Sequence, residues 1–230
     1  MSKLATDARQ WHYKHSLPWT DEGLRILPAV GYTKYTSEMR NFRLQFEGLA
    51  ESHFIARLPE WEEWARKTHN GTFNPSDYLT ADQLREKFGF AAEMQPVPCG
   101  EDFRVSFAEE EMEAMRSSVD NRVAAAVEAA RKDLWHRLVG PVSAMVERLS
   151  QPDAKFRDSL VGNLRDIIQI IPALNLTSDP QLESFRVEIA KELAIWNPDD
   201  LRDSKLTRKQ VADKAAEILA KMQGYTRQTK

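Results

Sequence analysis

Two histidines three residues apart, His12 and His15, share a helical face if residues 3–15 are helical, and that spacing can present two imidazoles to one metal ion. No third ligand is identifiable by spacing, and the neighbours are aromatic and basic, so the pair reads as surface or packing histidines. His53, His69 and His136 each stand alone. Carboxylates pair at Glu62 and Glu63, Asp153 and Asp158, and Asp199 and Asp200. Such pairs bind magnesium or divide acid and base roles. At helix starts, with Pro198 beside Asp199, they fit caps and solvated faces better. The chain contains no G-x-S-x-G elbow, no phosphate-binding G-x-x-x-x-G-K-[ST] and no G-x-G-x-x-G. The expectation is a protein that is not an enzyme, with no catalytic residue, cofactor or metal.

Binding candidates carry more signal. From Leu201 to Lys230 there are eight Lys or Arg, among them Arg202, Arg208, Lys209 and Lys214, against three acids. A helix with that surplus can contact phosphates, which makes nucleic-acid binding the alternative function. Its charges are dispersed, however, and Tyr225 is its sole aromatic. A solvated face, or one paired with an acidic neighbour such as the Glu109 to Glu113 cluster, is the simpler reading. Six tryptophans are many for 230 residues. Most belong in a core, since indoles dominate burial. Trp19, in an irregular proline-flanked stretch, and Trp61 with Trp64, on one helix face, are the candidates for anchoring a partner, because binding energy concentrates on Trp and Arg.

The elements that position these residues are mainly helical. Only nine glycines occur among abundant Ala, Leu, Glu, Arg and Lys. A short helix over 3–15 precedes an irregular segment from Pro18 to Tyr35. A long amphipathic helix runs from Ser37 to about Leu58, and Pro59 opens another. Thr80 and Gln83 form a capping box, and Gly89 closes the helix they start. Phe103, Val105 and Phe107 alternate with polar residues, so at most a small β-hairpin is expected near 90–107, with Phe90 to Val97 as the other strand. The longest periodic run, Met112, Met115, Val119, Val123 and on to Leu149, predicts a helical rod over about 109–150, kinked at Gly140 and Pro141.

An antiparallel helical hairpin follows. Phe156, Leu160, Leu164, Ile167, Ile168 and Ile171 form a stripe ended by Pro172. Thr177, Ser178 and Asp179 offer a cap ahead of Pro180, and Leu182, Phe185, Ile189 and Leu193 resume the stripe. These apolar faces are expected to pack on the rod. A capping box at Thr207 and Gln210 starts a terminal helix that Gly224 stops. The domain division expected is an aromatic-rich helical region over 1–95 and a long-helix and hairpin domain over 96–230.

Composition bounds the rest. With 42% apolar and 29% charged residues the chain can build a core without staples, and its single Cys99 excludes an internal disulfide. No run approaches the roughly 20 apolar residues of a membrane span, and the residues after Met1 lack a signal-peptide core, so a cytoplasmic protein with no membrane association is expected. A net charge of −3 excludes the whole molecule as a polyanion binder.

Several segments together carry a resemblance. WTDEGLRILP at 19–28, DFRV at 102–105, DLWHRL at 133–138, FRDSLVGNL at 156–164, PALNLTSDP at 172–180, LRD at 201–203 and RKQVA at 208–212 resemble a helical family of uncharacterised proteins of tailed phages and integrative mobile elements. The resemblance implies a phage-type protein of the bacterial cytoplasm, sometimes encoded near a MoxR-like AAA+ ATPase and a von Willebrand A-domain protein. It supplies no catalytic residues. The function expected is a helical protein–protein interaction factor that binds another protein or a second copy of itself.

Overall fold

A computed structural model of the chain describes residues 1–20, 23–69, 71–99 and 109–228. The fold is mainly α. Its elements are α1 (Ser2–Lys14), β1 (Leu17–Pro18), β2 (Arg25–Ile26), α2 (Tyr32–Ala50), α3 (Leu58–Thr68), α4 (Ala81–Lys87), α5 (Glu109–Leu149), α6 (Ser159–Leu174), α7 (Pro180–Glu192), α8 (Pro198–Asp203) and α9 (Lys205–Gln228). They form two compact units, one of residues 1–14 and 32–97, the other of residues 15–31 and 98–230. His15 to Gly31, assigned to the N-terminal region from sequence, belongs to the second unit.

In the first unit α1 packs on α2 through aromatic contacts. Trp11 lies 5.6 Å from Tyr35 and 6.4 Å from Phe42, and His12 Nδ1 is 2.7 Å from the Tyr35 hydroxyl. α2 starts at Tyr32, so Tyr32 and Tyr35 are helical and not part of an irregular stretch. The long helix expected through Leu58 instead changes pitch, with a π-helical turn at Glu51–Ile55 before α3 begins. Thr80 and Gln83 make both bonds of the capping box, and α4 ends at Lys87 with Phe88 as its cap. Arg85 on α4 reaches back to Glu51 with two bonds of 2.8 and 3.1 Å. Phe90 to Val97 contains no strand. The other half of the hairpin expected there, Phe103 to Phe107, lies outside the described residues.

The second unit holds the large core. Leu138, Val142, Met145 and Leu149 of α5, Leu164 and Ile171 of α6, Leu182 and Ile189 of α7, Leu201 of α8, and Val211, Ala215, Ile218 and Met222 of α9 are buried in one cluster. Full burial of each Leu, Ile or Met side chain contributes roughly 1.5–3 kcal/mol before entropy is subtracted. The rod is one continuous helix that includes Pro141. α6 and α7 are antiparallel: Asn175 and Asp179 exchange bonds of 2.9 and 3.1 Å at the turn, and Arg165 near the start of α6 donates to the carbonyls of Ala194 and Trp196 beyond α7. Pro172 does not end α6, which continues to Leu174. A proline so near a C-terminus removes one bond without stopping the last turn.

Asp179 caps α7, its Oδ1 accepting from the amides of Gln181 and Leu182, while Ser178 before it takes a left-handed φ of 52°. α9 starts earlier than the Thr207 box predicts. Ser204 Oγ accepts from the Thr207 amide, so Ser204 is the cap and Thr207 lies within the first turn. α9 also continues through Gly224, which does not act as a stop. The short β1–β2 ribbon is antiparallel, Leu17 opposite Ile26 and Pro18 opposite Arg25. Arg25 and Arg137 of α5 both donate to the carbonyl of buried Ser16, at 2.7 and 3.0 Å, which ties the ribbon to the rod.

Candidate interaction surface

α3 is a well-signalled helix. Pro59 occupies its first turn, where a missing amide hydrogen costs nothing, Glu60 sits at the positive end and Arg66 and Lys67 at the negative end. Trp61 and Trp64, one turn apart, place their indoles on neighbouring positions of its surface. Trp61 is 38% exposed and Trp64 64% exposed, whereas Trp135 in the core is 3% exposed. Phe54 stands edge-on to Trp61 at 5.8 Å and packs on Phe88 at 4.9 Å. The Arg57 guanidinium lies 5.9 Å from the Trp61 ring centre, and His69 lies edge-on to Trp64 at 6.5 Å. The result is an aromatic patch backed by Phe54 and Phe88, with Trp64 projecting farthest.

The charges around the patch are largely paired along the helix. Lys67 bonds Glu63 at 2.7 Å and holds that carboxyl below the usual carboxylate range, chiefly by this hydrogen bond. Arg57 bonds Glu60 at 3.2 Å. Local pairing leaves the rim without a strong field of either sign. Phe54, Phe88 and Arg57 are members the sequence reading missed. The signal was a Phe54 to Trp61 spacing of seven residues, obscured by the π turn that interrupts the helical period.

The other candidate residues go elsewhere. Trp19 belongs to the second unit, half-buried, its amide donating to the Leu24 carbonyl at 3.0 Å. Arg208 is not a surface residue at all. It is 7% exposed, and its guanidinium donates to four carbonyls at the end of α5 and just past it: Arg148 at 2.7 Å, Leu149 at 3.3 Å, Gln151 at 2.6 Å and Ala154 at 2.8 Å. It caps the rod from outside, satisfying carbonyls that a helix end otherwise leaves open. A signal was present: Arg208 sits on the apolar stripe of α9, three, four and seven residues before Val211, Ala212 and Ala215.

Arg202 is bonded to Asp158 and to Asp199, the latter at 2.6 Å, and both Arg202 and Arg208 lie over the Phe156 ring, at 5.1 and 5.4 Å. Asp199 is thus a salt-bridge partner in the first turn of α8. Lys214 pairs with Glu217 at 3.0 Å, while Lys221 bridges Glu188 and Glu217. Lys209 is exposed. Among the described residues, Arg202, Lys205, Lys214 and Lys221 of the tail pair with Asp158, Asp199, Asp153, Glu217 and Glu188. Among the described residues no group of three or more His, Cys, Asp or Glu side chains could hold a metal ion, and no helix is long and apolar enough to cross a membrane.

Against protein-family models, curated proteins and solved structures, nothing matches the chain.

Proposed function

We propose that this chain is a non-enzymatic protein–protein interaction factor of a tailed phage or integrative mobile element, acting in the bacterial cytoplasm, and that the aromatic patch of α3 is its partner-binding surface. One observation carries the reading. Trp64 stands largely uncovered and Trp61 partly so on a salt-bridged helix, and indoles displayed in this way, backed by a further aromatic layer, are where binding energy concentrates at interfaces. The resemblance to phage and mobile-element proteins supports the biological setting, in which an AAA+ ATPase system or a host protein is the natural class of partner.

The alternative, nucleic-acid binding by the C-terminal helix, is weaker in this chain because Arg208 is consumed inside the fold and Arg202, Lys205, Lys214 and Lys221 are each bonded to an acid. Affinity purification of the tagged chain from phage-infected cells, run beside Trp64→Ser and Trp61→Ser, tests the proposal. A protein retained by the wild type and lost with both variants, then rebound as a purified component, is the expected result. Retention unchanged by either substitution removes the patch from the reading. Binding to a nucleic acid that weakens steeply with salt favours the alternative.

A further inference from the structure

The first half of α5 has no buried residue among the described side chains before Ala126. The helices packed on α5 meet it farther along: Tyr225 near the end of α9 contacts Trp135 at 5.1 Å, and Asp179 at the α6–α7 turn accepts from the same indole. Met112, Met115, Val119 and Val123 nevertheless continue the apolar stripe through this stretch, each half-buried. At 3.6 residues per turn, Glu111 and Arg122 fall on one flank of the stripe, and Arg116 and Asp120, together with Glu113, on the other. Glu111, Arg116, Asp120 and Arg122 are exposed, and none of them forms an ion pair among the described residues. That sets them apart from Arg131, Arg186, Arg202 and Lys221, each paired to an acid in the same unit.

We infer that residues 111–126 of α5 are a self-association surface whose occupant is the same segment of a second copy, running antiparallel. A two-fold axis beside Ser117 and Ser118 sets Met112 opposite Val123 and Met115 opposite Val119. Within about one residue of the same register, Glu111 of each copy meets Arg122 of the other on one flank, and Arg116 meets Asp120 on the other. The stripe and its charges are thus complementary to themselves under one operation, which is the requirement of a closed two-fold interface. In the parallel orientation opposite flanks meet, so Glu111 and Arg122 are not partners and exchanging their charges does not restore pairing. This surface is separate from the tryptophan patch of α3, and the two stand or fall independently.

Sedimentation equilibrium of the purified full chain, across about a hundredfold range of concentration, tests the inference. Two-chain mass at the upper end is expected. Val119→Lys gives single-chain mass throughout. Glu111→Arg and Arg122→Glu each raise the dissociation constant about tenfold or more, and the double variant Glu111→Arg/Arg122→Glu restores it to near the wild-type value. All these positions lie outside the core, and unchanged helical circular dichroism shows that the fold is intact. Single-chain mass for the wild type at every concentration overturns the proposal, as does a dimer indifferent to Val119→Lys. A double variant no tighter than its parents overturns the antiparallel register.

Discussion

The indole Nε1 of Trp135 donates to Oδ2 of Asp179 at 3.1 Å, joining the middle of α5 to the residue that caps α7. Asp179 uses its other oxygen for the Gln181 and Leu182 amides, so one buried carboxylate serves the rod and the hairpin at once. Phe185 and Tyr225 pack around the same indole, at 5.8 and 5.1 Å. Trp135→Phe keeps most of the packing and leaves an acceptor buried without its donor. The expected loss is about 1–3 kcal/mol in urea unfolding, and a change under a few tenths rules out a structural role for this bond.

Arg208→Met keeps an unbranched apolar stem, removes the guanidinium and orphans the carbonyls at the end of α5. Unfolding free energy should fall by about 2–4 kcal/mol. Arg208→Lys should recover less than half of this, because an ammonium cannot reproduce the planar fork that reaches several carbonyls together. A fully rescuing lysine contradicts the clamp.

Trp64→Ser, on the exposed patch of α3, is expected to change stability by no more than about 0.5 kcal/mol. Leu138→Ala, in the core of the second unit, should cost about 2–5 kcal/mol. Parallel denaturant titrations of the two variants separate a surface kept for partners from one required by the fold. A large loss at Trp64 would place it in the structural class instead.

Acid should weaken the protein through its helix-surface pairs. Arg186 bonds Glu183 and Arg131 bonds Glu128, and each holds its partner carboxyl below the usual carboxylate range, mainly through the hydrogen bond itself. A carboxyl whose folded-state pKa is depressed contributes stability that is fully present above its unfolded value, about 4.3 for glutamate, and that is lost as pH falls through the folded value. The urea midpoint is therefore expected to be flat from neutrality to mildly acidic pH and to decline below the unfolded value. The double variant Glu128→Gln/Glu183→Gln should show a shallower decline. An equally steep decline in that variant assigns acid sensitivity to other groups. High salt should reduce the contribution of these pairs, since both are partly exposed.

Local signals were legible wherever they depended on residues within a turn or two. The Thr80 capping box, the Asp179 cap before Pro180, and the apolar stripes of α5, α6 and α7 all follow from short-range geometry that the chain carries with it. Signals that depended on context misled. Pro172 and Gly224 look like stops, yet a helix already held by packing tolerates either residue near its end, where few bonds remain to be broken. Ser204 outcompeted Thr207 as the α9 cap, a difference of three residues that propensity alone does not resolve.

The sequence by itself determined a mainly helical protein, the existence and period of its long helix, and the hairpin with its turn, because each rests on the spacing of apolar residues and on capping chemistry. Only the tertiary structure decided which charges remain outside. Arg208 and Lys209 are adjacent in the sequence and both carry a positive charge, but the first is spent on the carbonyls at the end of α5 and the second is exposed. The same holds for the tryptophans: Trp135 and Trp64 are the same residue type on helices of similar composition, and burial separates them. The physical reason is that a side chain's free energy depends on the groups that surround it, and those groups arrive from elements distant along the chain.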